Sequence, residues 1–281
     1  MMDEKTIQSA IHLLDLALEE DVASGDITTD NLIAQSEVRE AFWRAKEDGV
    51  VAGLQLAEMA FLRLDSNLQW MPLVQDGDAV KKGDVVVRFS ASYRAILSAE
   101  RIALNFVQRL SGIATETRKY VDTIAHTSTQ ILDTRKTLPA YRLLDKYAVK
   151  MGGGTNHRIG LYDMVMIKDN HIDIAGGITQ AVQEIRAKVS SEIKIEVETT
   201  NIEQVEEAVQ AGADIIMLDN MSNADMAEAV KCIAARAKTE ASGNMNLERL
   251  AEVAATGVDF ISVGALTHSV RALDISQRIE L

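Results

Sequence analysis

IKIEVETTNIEQVEEAVQAGADIIMLDN, residues 193–220, contains the pattern that decides the fold. Two short apolar runs, IKIEV (193–197) and DIIMLD (214–219), flank a segment in which apolar residues recur at helical spacing. Strands that are joined by a crossover helix run parallel, and a sheet of this kind is buried on both faces. The stretch therefore predicts one strand–helix–strand unit of an α/β protein.

The same rhythm repeats from residue 130 onward. The other strand-like runs are QILDT (130–134), MVMIK (164–168), a short run near TEASG (239–243) and DFISVG (259–264). Most are separated by helical patterns, and six strands at this spacing favour a closed β/α barrel over an open sheet. No G-x-G-x-x-G follows the first strand, which disfavours a dinucleotide-binding fold.

The first part of the chain follows a different pattern and predicts a small α+β module of roughly a hundred residues. Short alternating runs with Asp-Gly and Lys-Gly bends predict strands between about residues 36 and 92. The surrounding segments are an amphipathic helix over the first twenty residues, a turn-rich stretch SGDITTDNL (24–32), a helix LAEMAFLRL (56–64), and one or two long helices over 97–126.

The net charge is −13, from 29 Lys and Arg against 42 Asp and Glu. This balance disfavours nucleic acid as a partner, because binding to phosphate backbones depends on an excess of cations. It also disfavours a polybasic membrane-surface protein. Residues 88–168 are the exception, with 13 Lys and Arg against 6 Asp and Glu. A local excess of seven positive charges indicates a site for an anionic small molecule.

The remaining composition limits the cellular setting and the chemistry. No apolar run reaches the roughly 18 residues of a membrane span, and the chain begins with an acidic, amphipathic segment. Cys232 is the single cysteine, so no intrachain disulfide and no cysteine-based zinc site is expected. The five histidines show no H-x-x-x-H pair. We expect a cytoplasmic protein without membrane or nucleic-acid partners.

Polar side chains follow almost every predicted strand, at the point where the strand ends. The carboxyl ends of parallel barrel strands converge on one face, where the active sites of such barrels lie. Arginine and lysine suit carboxylates and phosphates, acids suit sugar hydroxyls or a divalent metal, and small residues let backbone N–H groups approach a phosphate. A polyanionic ligand, with a ribose and Mg²⁺ as further candidates, is therefore expected. The residues concerned are Arg135, Lys136, Lys168, Glu198, Asp219, Ser242, Gly243, Asn244, Ser262, Gly264 and Ala265, with His157 and Arg158 in the adjoining segment.

Several longer segments together resemble the quinolinate phosphoribosyltransferases, also called carboxylating nicotinate-nucleotide pyrophosphorylases. The strongest signal is LDTRKT (132–137), followed by GGGTNHRIGLYDMVMIKDNH (152–171). EDVASGDITTD, AERIALNFVQRLSGIAT, IEVE, AGADIIMLDN, EASGN and TGVDFISVGALTHSVRALDIS follow the same pattern. The resemblance spans essentially the whole chain, in order.

The resemblance implies an N-terminal α/β open-faced sandwich over 1–112 and an incomplete β/α barrel of about seven strands over 113–267. It implies that the tail 268–281 packs on the first domain. It further implies a homodimer, or a hexamer of dimers, in which Arg101 is donated across the interface to the neighbouring barrel.

The activity implied is transfer of a phosphoribosyl group to quinolinate with decarboxylation, in NAD biosynthesis. The resemblance assigns the two quinolinate carboxylates to Arg135, His157, Arg158 and Lys168, and the phosphates to Lys136. It assigns ribose and Mg²⁺ to Glu198 and Asp219, and phosphate loops to Ser242-Gly243-Asn244 and Val263-Gly264-Ala265. Thr134 is expected to contact substrate, and Lys136, Lys168, Glu198 and Asp219 are the expected catalytic residues.

Three other functions are considered. A related phosphoribosyltransferase of the same fold could use another acceptor, and a metabolite sensor could bind quinolinate without turnover. From a different reaction class, a Schiff-base aldolase could use Lys168 at its strand end.

Overall fold

The computed structural model describes residues 2–280, and their chain folds into two compact units. The first unit consists of Met1–Arg118, Thr137–Gly153 and Ser269–Leu281, and the second of Lys119–Lys136 and Gly154–His268. The predicted first domain, residues 1–112 with the tail 268–281, includes positions 1 and 281. These two positions lie outside the described residues. Among residues 2–280, no helix is both long and apolar enough to cross a lipid bilayer.

The described residues form eleven helices and twelve strands. The helices are α1 (Glu4–Asp21), α2 (Ile27–Leu32), α3 (Leu54–Leu64), α4 (Tyr93–Thr123), α5 (Arg142–Met151), α6 (Asp169–Ala175), α7 (Ile178–Arg186), α8 (Ile202–Ala211), α9 (Asn223–Ile233), α10 (Leu247–Ala254) and α11 (Ala265–His268). The strands are β1 (Val38–Ala45), β2 (Gly49–Val50), β3 (Gln69–Pro72), β4 (Ala79–Val80), β5 (Val85–Ser92), β6 (Gln130–Leu132), β7 (Val165–Ile167), β8 (Ile195–Thr199), β9 (Ile215–Asp219), β10 (Lys238–Ser242), β11 (Phe260–Ser262) and β12 (Ile275–Glu280).

The first unit contains a four-stranded antiparallel sheet in the order β12-β1-β5-β3. The last strand of the chain, β12, pairs with β1 in the register Ala41↔Ile279. Phe61 of α3 packs against aromatic rings of this sheet, with ring centroids 4.7 Å from Phe89 and 6.0 Å from the fully buried Trp43. A helix layer therefore covers an antiparallel sheet, as expected for the predicted sandwich.

The second unit contains a six-stranded parallel sheet in the order β6-β11-β10-β9-β8-β7. Its first strand, β6, pairs with its last, β11, which curls the sheet into a barrel. A parallel bridge between Leu132 and Thr155 lies at the other edge of β6, where a further strand would stand. This confirms the incomplete β/α barrel, with six strands and an isolated bridge where about seven strands were predicted.

The segment 24–32 departs from the predicted turn-rich stretch, because it contains the helix α2. Asp26 caps this helix, accepting hydrogen bonds from the backbone N–H of Thr28 and Thr29 and from the Thr29 hydroxyl. A carboxylate that satisfies the free N–H groups of the first turn stabilises a short helix that propensity alone would not specify.

The predicted one or two helices over 97–126 are a single helix, α4, which begins at Tyr93. A glycine in a helix interior normally weakens the helix. At Gly112 a Cβ would lie 2.2 Å from the backbone carbonyl oxygen of Arg271, so only glycine lets the C-terminal segment pass this closely. Gly112 is thus explained by packing and does not end the helix.

Candidate active site

A cavity of about 660 Å³ lies in the second unit, among the residues at and just beyond the carboxyl ends of the barrel strands. Side chains alternate in direction along a strand, so residues two apart face the same side. Met166 and Lys168, Glu196 and Glu198, Met217 and Asp219, and Glu240 and Ser242 are such pairs. Seven of these eight residues line the cavity, all except Glu196, and they lie within β7 to β10 or, for Lys168, directly after β7.

Thirteen of the fifteen predicted site residues line this cavity. Val263 does not, because its side chain is fully buried and its backbone N–H donates to the carbonyl of Leu132. Arg101 is exposed on α4 and belongs to the first unit. The residues that line the cavity are Thr134, Arg135, Lys136, His157, Arg158, Lys168, Glu198, Asp219, Ser242, Gly243, Asn244, Gly264 and Ala265.

One side of the cavity is cationic. Arg135 follows β6, Arg158 follows the bridged residue Thr155, and Lys168 follows β7. Burial lowers the pKa of the Arg158 guanidinium, and the nearby positive charge of Arg135 lowers that pKa further. Two arginines held this close repel each other, so an anion between them would be strongly favoured.

The neighbouring side is acidic. Glu198 is the last but one residue of β8 and lines the cavity, and its Oε2 accepts a hydrogen bond from Lys168 Nζ at 2.8 Å. Asp219 ends β9, and its Oδ2 accepts from Asn220 Nδ2 at 2.7 Å. Lys168 Nζ is engaged in this ion pair. A Schiff-base aldolase needs a lysine amine that is free to attack a carbonyl carbon, so this contact argues against that alternative.

The third side is built from small residues after β10 and β11. Ser242, Gly243 and Asn244 follow one strand, and Gly264 and Ala265 follow the other. A Cβ on Gly264 would lie 3.0 Å from Lys136 Cδ, so the Lys136 chain runs directly beside this turn. A cation next to exposed backbone is the arrangement that phosphate groups bind.

A buried group, the floor cluster, consists of His157 and Glu240, which line the cavity, and Glu196, which contacts His157 without lining the cavity. His157 Nε2 lies 2.9 Å from Glu196 Oε2 and 3.4 Å from Glu240 Oε2, and the Ser262 hydroxyl donates to the other oxygen of Glu240. Burial lowers the pKa of His157, but its interactions with the Glu196 and Glu240 carboxylates outweigh burial and raise this pKa to about 9. Burial also raises the pKa of Glu196 to about 7, with the negative charge of Glu240 as the next cause.

The donor atoms of these three residues lie within 4.8 Å of one another, a spacing that a metal ion could also bridge. His157 and Glu196 form a direct hydrogen bond through the atoms that a cation would need. A charged imidazole between two carboxylates therefore accounts for the cluster without a metal.

Glu196 and Glu240 were not predicted as site residues, and neither were three methionines of the cavity wall. Glu196 and Glu240 are acids inside otherwise apolar strands, and each lies two residues before a predicted site residue. That same-face spacing was the available signal. The apolar wall consists of Met166, Met217 and Met245, which suits contact with a flat ring. Asp133 and Asn220 are further lining residues that were not predicted.

Two models of known protein families match most of the chain. Residues 26–111 match the N-terminal domain of quinolinate phosphoribosyl transferase, and residues 113–278 match its C-terminal domain. The chain belongs to the quinolinate phosphoribosyl transferase family. The sequence resemblance to this family is thereby confirmed.

Relatives of this family match the chain over nearly its full length. A protein of Synechocystis sp. named probable nicotinate-nucleotide pyrophosphorylase [carboxylating] is 47% identical over 265 residues, covering 93% of this chain and 90% of the relative. The crystal structure of NadC from Streptococcus pyogenes is 39% identical with a TM-score of 0.95, covering 99% of this chain and 98% of that one. The nicotinate-nucleotide pyrophosphorylase from Francisella tularensis is 42% identical with a TM-score of 0.94, covering 97% and 96%.

We predict that His157 of this family member is a doubly protonated imidazolium at about pH 7.5, well above the ordinary histidine pKa of about 6.5. Two-bond ¹H–¹⁵N correlation spectra of ¹⁵N-histidine-labelled protein report this state directly. Glu196→Gln and Glu240→Gln should each lower the pKa, because each removes a carboxylate. His157→Gln identifies the resonance. A neutral His157 imidazole at that pH would contradict the hydrogen-bonded cluster.

The same shift has a consequence for stability. The pKa of folded His157 lies above its unfolded value, so its protonation stabilises the folded state fully below about pH 6.5. That contribution is lost as the pH rises to about 9. In urea unfolding, the free energy of unfolding of wild type minus that of His157→Gln should decrease as the pH rises from about 6.5 to about 9.

Proposed function

We propose that this chain joins quinolinate to 5-phosphoribosyl-1-pyrophosphate (PRPP), giving nicotinate mononucleotide, pyrophosphate and CO₂, in NAD biosynthesis. The observation that carries the proposal is the order of groups around one cavity: cations, then acids, then glycine-containing turns beside Lys136. The cations complement an acceptor with two carboxylates, the acids complement a ribose, and the glycine-containing turns complement phosphate groups. Membership of the quinolinate phosphoribosyl transferase family supports the same reaction.

The cationic side binds the two carboxylates of quinolinate. Arg135 and Arg158 repel each other when the cavity holds no anion, and Lys168 adds a third positive charge at the next strand. Guanidinium groups bind carboxylates with paired, planar hydrogen bonds, which also fixes the plane of the pyridine ring. The methionine wall packs against that ring. Nicotinate carries one carboxylate, so it would leave a cation unpaired and bind less well.

The side with small residues binds phosphate groups of PRPP. Backbone N–H groups approach closely at Gly243 and Gly264 because these residues have no side chain. Lys136 contributes charge from beside Gly264. Between the two ends, Glu198 and Asp219 face the ribose and its anomeric carbon.

Glu198 and Asp219 also fit a Mg²⁺ ion. Both present carboxylate oxygens into the cavity from adjacent strands, and Mg²⁺ in phosphate-transfer sites is held by one or two carboxylates together with substrate phosphates. When bound there, Mg²⁺ would neutralise charge on the pyrophosphate leaving group.

The first chemical step is glycosyl transfer. The pyridine nitrogen forms a bond to the anomeric carbon, and the bond from that carbon to the pyrophosphate oxygen breaks with its electron pair. Positive charge develops on the ribose ring in the transition state, where the carboxylates of Glu198 and Asp219 stabilise it. The arginines hold the ring nitrogen in line with the anomeric carbon, and such positioning lowers the barrier by several kcal/mol.

The second step is loss of the carboxylate next to the ring nitrogen. The carbon–carbon bond breaks, its electron pair stays on the ring carbon beside the positively charged nitrogen, and a proton then replaces CO₂. The pyridinium itself stabilises the electron pair, so this step needs no covalent nucleophile from the protein. That agrees with a cavity rich in arginine and lysine.

The proposal is tested by release of CO₂ and pyrophosphate in the presence of PRPP. We expect both products in equal amounts with quinolinate and little of either with nicotinate, because the second carboxylate is missing. Chelation should abolish turnover and added Mg²⁺ should restore it. Equal pyrophosphate release with nicotinate, or none with quinolinate, would contradict the proposal and would favour a related transferase with another acceptor or a sensor.

We expect Arg135→Ala and Arg158→Ala to lower kcat/KM for quinolinate by at least about a hundredfold, since each leaves a bound carboxylate without its charged partner. Circular dichroism should show folded protein. Arg186→Ala is the matched control, because Arg186 pairs with Asp214 and does not line the cavity. Near-native turnover by both cavity variants would rule out the assigned carboxylate site.

A homodimer or a hexamer of dimers is part of the proposal, with Arg101 donated from one protomer to the cavity of its partner. The exposure of Arg101 on α4 leaves it available for such a contact. A cytoplasmic location is also proposed, in keeping with one free cysteine, Cys232.

Subunit mixing tests the shared site. Arg101→Ala and Lys168→Ala should each be inactive alone, whereas mixed dimers contain one site with both changes and one with neither. Statistical mixing should restore about a quarter of wild-type activity in a two-fold dimer. Lys168→Ala mixed with Arg158→Ala is the control without rescue, since both residues lie in one cavity. Verified subunit exchange with no rescue in the first pair would refute donation of Arg101.

A further inference from the structure

The loops after β9 and β10 run side by side along the acidic and phosphate-binding sides of the cavity. The first loop passes from Asp219 through Asn220 and Met221 to Ser222, which caps α9. The second runs over 242–246 and ends at Asn246, which caps α10. Their geometry decides where the Asp219 carboxylate and the N–H groups of the second loop point.

Asn220 ties the two loops together. Its backbone N–H donates to the Ser242 carbonyl at 3.0 Å, and its Nδ2 donates to Asp219 Oδ2 at 2.7 Å. Its Oδ1 accepts from Asn244 Nδ2 at 3.2 Å. Asn220 thus fixes one oxygen of the acid through one end of its amide and contacts the phosphate-binding loop through the other.

Backbone conformation shows how closely the loops are fitted. Asn220, Gly243 and Asn244 have φ of 54°, 95° and 50°, in the left-handed region. A Cβ on Gly243 would lie 2.2 Å from Asn220 Oδ1 and 2.9 Å from Asn220 N. Since the second distance is to backbone, glycine is required at 243 for the two loops to stay in contact.

Arg249, on α10, bridges the same two loops and does not line the cavity. Its Nη2 donates to the Met221 carbonyl at 2.8 Å, and its Nη1 makes a longer 3.4 Å hydrogen bond to the Gly243 carbonyl. In a planar trans peptide the C=O and the following N–H point in opposite directions. Holding the Gly243 carbonyl towards Arg249 therefore turns the Asn244 N–H away from Arg249.

We propose that Arg249 and Asn220 are positioning residues that hold the loops after β9 and β10 in the orientation that binds the phosphates of PRPP. This inference rests on the proposed function, because it concerns the same cavity. Arg249 acts through the backbone carbonyls of both loops without touching substrate. Asn220 acts by joining the Asp219 carboxylate to the phosphate-binding loop.

Arg249→Met is the main test, because it keeps the length and apolar packing of the side chain and removes its hydrogen bonds to both loops and a third, 3.4 Å long, to Asn223 Oδ1. Calorimetry should show the Kd of PRPP, measured with Mg²⁺ and without quinolinate, rising about tenfold, as for other residues that orient a ligand-binding group. The Kd of quinolinate should change by no more than about twofold. Arg249→Lys, whose ammonium group can donate to only one of the two loops at a time, should recover part of the lost PRPP affinity.

Arg236→Met is the matched control. Arg236 also donates to two backbone carbonyls, those of Cys232 and Ile233, at the end of α9 away from the cavity. Arg236→Met should leave the Kd of PRPP unchanged, although it should lower the melting temperature about as much as Arg249→Met does. The proposal would be overturned if Arg249→Met and Arg236→Met weakened PRPP binding equally. It would also be overturned if Arg249→Met weakened the binding of PRPP and of quinolinate equally, because either result would indicate a general structural role for Arg249.

Asn220→Gly removes the amide and still permits the left-handed backbone. It should raise the Kd of PRPP and lower kcat, because Asp219 loses its hydrogen bond. The double variant with Arg249→Met should be less than additive, since both residues hold the same loops. Unchanged PRPP binding in both single variants overturns the proposal. If the wild-type protein bound PRPP but did not turn over quinolinate, that result would count against the proposed function. The PRPP affinities of wild type, Arg249→Met and Asn220→Gly would still test whether these two residues position the loops.

Discussion

The parallel pairing of β6 with β11, the first and last strands of the barrel, is the constraint on which the site depends. This pairing places Lys136 beside Gly264 although the two residues lie near opposite ends of the second unit in sequence. It also curls the six-stranded sheet into an incomplete barrel, so that one face of the sheet turns inward. If β6 and β11 separated, Arg135 and Lys136 would no longer adjoin the small residues Gly264 and Ala265.

Strand order then determines the electrostatic pattern. Register pairs Met166 with Glu196, so the next inward residues, Lys168 and Glu198, are cross-strand neighbours and form an ion pair. The acids lie at the carboxyl ends of the neighbouring strands β8 and β9, and the cations follow β6 and β7 at the two edges of the sheet. A ligand with separate anionic and hydroxyl-bearing parts is thus bound in one orientation, which agrees with a bisubstrate transfer reaction.

Much of this could be predicted because the carboxyl ends of parallel strands always converge. That rule located Arg135, Lys168, Glu198 and Asp219 without knowledge of register. Residues inside the strands need the register, and their neighbours come from distant segments, so the floor acids Glu196 and Glu240 were missed. Val263 was assigned to the phosphate loop with Gly264, but alternation turns its side chain into the core. The helix α2 depends on the side-chain cap of Asp26, which apolar spacing does not reveal.

The floor cluster clarifies which groups attract the substrate. His157 was predicted to bind a carboxylate of the acceptor, yet its Nε2 is hydrogen bonded to Glu196, and two buried acids surround it. An imidazolium with two carboxylates carries no net positive charge, even when Glu196, with its pKa near 7, is protonated. The floor therefore adds rigidity without attracting anions. In the proposed function the attraction for a dicarboxylate comes from Arg135, Arg158 and Lys168, and Lys168 shares its charge with Glu198.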